Sequence, residues 1–299
     1  MQLPRNMLKD ALKNGRVKIG LWMGLGHPAA AEIASRAGFD WCLIDGGYGS
    51  FDTSRVLAQL QAMDSEALPV LRVPRNDSEM IRQALDLGVQ TIVVPMVETA
   101  EQAAEMAAAM RNPPQGTRRV GTVHTRASGY GAVYDCAGEV NDEVCLFVQI
   151  ESETALRNLP LIAACQGVDG ILVGADDLAA SMGHTGRPNA PQVQAAITEA
   201  ARTVTEAGKI LGMIASSEGG RGQMRGARRD FHLGRRRYLA PAQEPDPAVG
   251  GRGGRGYVVV QDAPAGGCGP GAGGAWETAP FAAGGWHGFR PFLSMRPVK

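Results

Sequence analysis

The chain has 299 residues, enough to bury a substantial core as one large domain or two ordinary ones. Its 30 basic and 30 acidic side chains cancel to a formal net charge of zero, so overall charge calls for neither nucleic acid nor an anionic membrane as partner. Five cysteines, Cys42, Cys136, Cys145, Cys165 and Cys268, stand without CxxC spacing and suit reduced thiols of a cytoplasmic protein better than a disulfide framework. The opening MQLPRNMLKDALKNGRVKIG is amphipathic, and no apolar run approaches the roughly 18 residues that a membrane span needs. We therefore expect a soluble, unexported protein.

From the start to about Ser217, short apolar runs alternate with longer helical stretches, the pattern of βαβ units and a parallel sheet. Strands are expected at Lys18 to Met23, Trp41 to Asp45, Pro69 to Arg72, Thr91 to Pro95, Val144 to Glu151, Gly170 to Gly174 and Ile210 to Ile214. Between them PAAAEIASRAG, DTSRVLAQLQAM, SEMIRQALDLG, ETAEQAAEMAAAMR and APQVQAAITEAARTVTEAG carry helical periodicity, and several end in the Gly that favours a C-terminal cap. Seven β/α units need one more to close a (β/α)8 barrel of about 250 residues.

The eighth unit should begin near residue 230, but the composition changes first. From Glu218 onward there is no Ile or Asn and only three Leu, against nearly half of the chain's 40 glycines. Such a segment does not readily bury a core. We read 1–217 as the barrel and 218–299 as a Gly/Arg-rich tail, with the eighth unit divergent or lost. The tail is either a disordered extension, able in principle to contact RNA, or the product of a shifted reading frame near residue 218. The second reading is favoured because the break falls inside the expected domain.

In a parallel barrel the chemistry gathers at the C-terminal ends of strands and in the loops after them. Asp45, Arg72 and Glu151 end the second, third and fifth strands, and Asp177 follows the sixth. Two carboxylates on neighbouring strand ends suit a hard divalent cation, which binds oxygen and keeps positions open for water or substrate. Glu151 and Asp177 are the expected pair, and Arg72, permanently charged, is placed to hold a developing oxyanion. An interstrand salt bridge or a helix cap at Asp176 or Asp177 is the structural alternative.

The blocks GLWMGLGHPAAAEIASRAGFDWCLIDG, PVLRVPRND, LDLGVQTIVVPMVETAEQAAEM, PPQGTRRVG, RASGYG, VQIESETALRN and GVDGILVGADDLAASMG resemble, in order, those of the HpcH/HpaI aldolases, class II pyruvate aldolases related to the citrate lyase beta chain. The resemblance spans roughly residues 15 to 217. It implies a (β/α)8 barrel of the phosphoenolpyruvate/pyruvate type that holds Mg2+, Mn2+ or Co2+ on Glu151 and Asp177 and cleaves 4-hydroxy-2-oxo acids to pyruvate and an aldehyde through a metal-stabilised enolate. Arg72 would steady that enolate. Asp45, Trp22, Gln149 and the Gly174, Ala175 and Asp176 segment would complete the catalytic and substrate-binding set. Small molecules are the expected partners, with neither nucleic acid nor membrane, in a homo-oligomer if the C-terminus permits.

Family members usually read Asp-Gly-Glu-His after the second strand, where the His is the base. Here the run is Asp45-Gly46-Gly47-Tyr48. Tyr48 takes the His position, and a phenol that ionises near pH 10 is a poor base unless its surroundings lower that value. His27 and His124 are read first as loop or packing residues and only secondly as substitutes for it, and a metal-bound hydroxide is the other candidate base. Two other readings keep the pocket: decarboxylation of oxaloacetate, which passes through the same enolate without removing a hydroxyl proton, and a barrel that binds a metabolite without catalysis.

Overall fold

The computed structural model describes residues 3–48, 51–63, 67–121, 124–133, 139–215 and 257–262. The chain divides into one unit of Met1–Pro264 and another of Ala265–Lys299, the latter outside the described residues. The first unit alternates strand and helix. Its strands are β1 (Lys18–Met23), β2 (Trp41–Asp45), β3 (Leu68–Arg72), β4 (Thr91–Val94), β5 (Cys145–Ile150), β6 (Gly170–Val173), β7 (Ile210–Ala215) and β8 (Tyr257–Asp262). The helices are α1 (Met7–Lys13), α2 (Pro28–Ser35), α3 (Thr53–Ala62), α4 (Ser78–Asp86), α5 (Ala100–Ala109), α6 (Val140–Glu143), α7 (Glu153–Ala164), α8 (Ala175–Ser181) and α9 (Pro191–Glu206).

All neighbouring strands run parallel, so β1 to β7 curl in sequence order into a barrel-like sheet. The seven expected strands lie within a residue or so of their observed limits. The backbone of β8 pairs with β7 on one side and β1 on the other and closes the ring. Six residues of the segment read as a tail therefore stand in the sheet; the rest of 216–299 lies outside the described residues.

Local chemistry sets where most helices start. Asp52, Asp77 and Ser152 accept backbone N–H groups at the heads of α3, α4 and α7, and Thr99 and Gln102 form a reciprocal capping box on α5. The α7 helix was not among those expected, because Pro160 stands inside it. A proline there removes an intrahelical hydrogen bond and argues against a helix from sequence.

The period-two alternation of the strands then sorts the side chains. Cys42, Ile44, Leu71, Leu146 and Val148 join the layer between sheet and helices. Trp41, Leu43, Val70, Val93, Phe147 and Leu172 fill the barrel interior together with Leu8 and Leu12 of α1, which stops one end. Continuing the interior parity toward the C-terminal ends reaches Asp45, Arg72, Gln149 and Glu151. An apolar plug thus sits directly beneath a polar mouth.

Gly20 of β1 pairs in register with Trp41 of β2, and a methyl group on it would come within 2.1 Å of the indole. A Gly20→Ala chain is expected to lose about 1–3 kcal/mol of stability from overpacking, read as a lower urea midpoint with unchanged slope. An unaltered midpoint would show that the interior layer yields where the structure has it packed.

Candidate active site

Three adjacent strand ends assemble the first half of the mouth. Arg72 of β3 donates from Nε and Nη2 to the two oxygens of Asp45 on β2, at 2.9 and 3.0 Å, and both side chains are almost wholly buried. Asp45 also accepts from Trp22 Nε1 of β1 at 2.8 Å and from the Gly47 N–H at 2.7 Å. The Arg72 guanidinium is flanked by two rings, its Cζ 4.8 Å from the Trp22 centroid and 4.7 Å from that of Tyr48. Cation and ring attract in this arrangement. Among the described residues Nη1 has no hydrogen-bond partner, so both of its N–H groups stay free.

The turn after β2 is shaped by this cation. The Gly46 N–H donates to the Arg72 carbonyl at 2.8 Å, and a Cβ on Gly46 would sit 2.5 Å from that oxygen. A Cβ on Gly47 would lie 2.7 Å from Arg72 Nη2. The bare Gly47 backbone thus packs against the Arg72 guanidinium.

Glu151 and Asp177 make the second half. Glu151 follows β5, is 3% exposed, and accepts from the Met96 N–H at 2.9 Å. Burial and then the negative charge of Asp177 push its carboxyl up to about 7, against the Met96 hydrogen bond and the Arg72 cation, which lower it. Gly174 leaves the room Glu151 needs, since a Cβ there would stand 2.8 Å from Glu151 Cγ and 3.2 Å from Gln149 Nε2. Gln149 Oε1 is buried with no hydrogen-bond partner. Tyr48 joins the halves, its hydroxyl 3.5 Å from Asp177 Oδ2. The charge of Asp177, followed by partial burial, raises the Tyr48 phenol above its ordinary value. In this arrangement the Tyr48 hydroxyl donates to Asp177. Gly174 is the N-terminal cap of α8, whose first turn contains Ala175, Asp176 and Asp177.

The donor set fits a hard divalent cation. Two carboxylates meet with Arg72 as a counter-charge, and a buried amide oxygen beside them is unpaired among the described residues. Among the described residues no group of three or more His, Cys, Asp or Glu comes together. A cation held by two carboxylates with open positions is the arrangement expected of Mg2+ or Mn2+.

The histidines expected as substitutes do not join this cluster. His27 is exposed, and its Nδ1 accepts the Ala29 N–H as the cap of α2. His124 is exposed in the connection between α5 and α6, which by topology leads to the start of β5. Lys9 is at the opposite end, where its Nζ donates to the Asp142 carbonyl beside the α1 plug. The Met96 N–H is a contributor that sequence reasoning missed.

A family model, HpcH/HpaI aldolase/citrate lyase, matches residues 18–233. The chain belongs to this family. It is 50% identical over 214 residues to a hydroxypyruvate/pyruvate aldolase of Deinococcus radiodurans, covering 71% of this chain and 77% of the relative. It is 47% identical over 214 residues to a 4-hydroxy-2-oxo-heptane-1,7-dioate aldolase of Klebsiella pneumoniae, covering 71% and 81% respectively. A crystal structure of an HpcH/HpaI aldolase/citrate lyase family protein from Burkholderia cenocepacia superposes with a TM-score of 0.73 at 32% identity, over 86% of this chain and 93% of that one. The HpcH/HpaI match runs past Ser217, the limit at which the barrel-forming sequence was read to end.

Removing the Asp45 carboxylate strands a buried guanidinium. Asp45→Ala is expected to cost about 3–5 kcal/mol in chemical unfolding, and Asp45→Asn less, since the amide keeps a hydrogen-bond acceptor. Equal, small losses for both would show that the ion pair does not hold the mouth together.

Proposed function

We propose that this member of the HpcH/HpaI family is a divalent-metal-dependent aldolase that cleaves 4-hydroxy-2-oxo acids to pyruvate and an aldehyde. The observation that carries the reading is the convergence of Glu151, Asp177 and Arg72 at one barrel mouth, with the Glu151 carboxyl pushed up to about 7 by burial and by the charge of Asp177. The relatives' names support it: they are aldolases of pyruvate, hydroxypyruvate and a 4-hydroxy-2-oxo diacid. The architecture in this reading is a (β/α)8 barrel of the phosphoenolpyruvate/pyruvate type with a divergent eighth unit, working in the cytoplasm as a homo-oligomer without nucleic acid or membrane partners.

Glu151 and Asp177 would hold Mg2+, Mn2+ or Co2+, which supplies Lewis-acid polarisation of the 2-oxo group. The remaining steps belong to side chains. Cleavage would pass the proton of the C4 hydroxyl to solvent water, break the C3–C4 bond to release the aldehyde and leave its electron pair as an enolate, which takes a proton back at C3 to become pyruvate. Arg72 Nη1, the free arm of a guanidinium fixed by Asp45, is the donor for that oxyanion. Asp45 is a positioning residue in this scheme, because its oxygens are already committed to Arg72, Trp22 and Gly47. Gln149 offers its unpaired amide to the substrate, and the first-turn amides of α8 at Ala175 and Asp176 suit its carboxylate. The rings of Trp22 and Tyr48 attract the Arg72 cation and help to hold it in place.

One observation favours a second reading. The Tyr48 phenol is raised, so the position that carries the family's usual base holds a proton instead. Decarboxylation of a 2-oxo diacid such as oxaloacetate reaches the same enolate by losing CO2 and needs no hydroxyl proton removed.

Pyruvate release from a 4-hydroxy-2-oxo acid should require Mn2+ and disappear in Glu151→Ala. A metal-independent rate that survives the substitution would sink the aldolase reading, and release from oxaloacetate alone would select decarboxylation. The pH dependence has a definite sign. A folded Glu151 near 7 retains a proton that the unfolded chain releases near 4.5. The metal-free protein should therefore lose stability as pH rises from about 4.5 to about 7 and level off above. Mn2+ should bind more weakly below pH 7, where a proton must first be displaced. Stability that rises over that interval in a thermal scan would show that Glu151 is not the raised group.

A further inference from the structure

Met96 is one of two non-glycine residues among those described with a positive φ, at 52°, and its side chain is half exposed beside the mouth. Left-handed backbone at a residue other than Gly, Asn or Asp is strained and persists only where its surroundings over-determine it. Here they do. The Met96 N–H donates to Glu151 Oε2 at 2.9 Å, and its carbonyl accepts from Asn76 Nδ2 in the β3–α4 loop at 3.2 Å. The next amide, Val97 N, donates to the Gln149 carbonyl of β5 at 3.3 Å. One turn is pinned from both sides while its single free donor is spent on the buried carboxylate.

We propose that Met96 and Asn76 are positioning residues for Glu151. The left-handed turn, latched by Asn76, commits Oε2 to the Met96 amide and fixes the carboxylate plane, which leaves Oε1 on the side of Gly174, at the start of the segment that carries Asp177. A carboxylate held this way meets a cation without first losing rotamer freedom. Neither residue touches the reacting atoms. The proposal rests on the reading of Glu151 as a metal ligand, and the experiment separates the two.

Mn2+ is titrated into the metal-free full-length protein as wild type, M96G, M96V, N76A and E151Q, and amide hydrogen exchange at Met96 is followed without metal in wild type and E151A. Glycine adopts a left-handed φ freely whereas valine resists it. M96G should therefore bind within about twofold of wild type, while M96V and N76A bind about tenfold more weakly, the scale of a lost hydrogen bond to a charged group. N76A should melt close to wild type, which a merely structural role would not permit alongside the loss of affinity. Met96 should exchange slowly in wild type and faster in E151A. Wild-type affinity in both N76A and M96V overturns the proposal, as does a Met96 amide equally unprotected with and without Glu151. Wild type that ignores Mn2+ while Glu151 still protects the Met96 amide supports the positioning and overturns the metal reading instead.

Discussion

Burying a guanidinium is tolerable only when its charge is answered on the spot, and the mouth of this barrel is built around that requirement. Arg72 reaches the interior because strand parity puts it there, and Asp45, one strand over and in register with it, is the residue that makes its burial possible. The rest of the β2–α3 turn follows. Asp45 oxygens left over from the fork take Trp22 and the Gly47 amide, the two rings close over the guanidinium faces, and Gly46 and Gly47 are bare where a Cβ would strike Arg72. A short run, Asp-Gly-Gly-Tyr, therefore encodes a rigid cation with one arm free.

The opposite wall is electrostatically unfinished. Glu151 is as buried as Asp45 yet has no guanidinium of its own, only a backbone N–H, a distant share of Arg72 and a second carboxylate that repels it. The two acids thus diverge in character for physical reasons: Asp45 is neutralised by an intimate partner, whereas Glu151 is left to hold a proton or a cation. Structural ion pairs are arranged like the first. A site that must accept something positive is arranged like the second.

Much of this was legible because parallel barrels obey few rules. Fully buried strands read as continuous apolar runs, as TIVV and CLFVQI do, and the polar residue that ends each run marks the catalytic rim. What escaped depended on local geometry that composition does not carry. Pro160 hid α7, although a helix capped by Ser152 and packed in the outer layer absorbs it. The YVVVQD stretch was submerged in a glycine-rich average, although three adjacent valines are strand formers in any setting. Met96 gave no signal, since methionine is not a residue chosen for left-handed turns, and His27, read first as a loop or packing residue, is the cap of α2.

Tyr48 ties the two walls together and bears on which reaction they serve. Its ring lies over the Arg72 cation and its hydroxyl approaches Asp177, so its proton is held by the acid of the second wall while its face serves the first. A histidine in the same place, with a pKa near 6.5 when unperturbed, could release that proton within the physiological range; a phenol raised by a neighbouring carboxylate does not. On the proposed reading, stabilising an enolate would call on a cation held by Glu151 and Asp177 and on Arg72. Removing a proton from a substrate hydroxyl needs an acceptor besides. On the proposed reading, Tyr48 would leave the half of the chemistry that stabilises negative charge and alter the half that moves a proton.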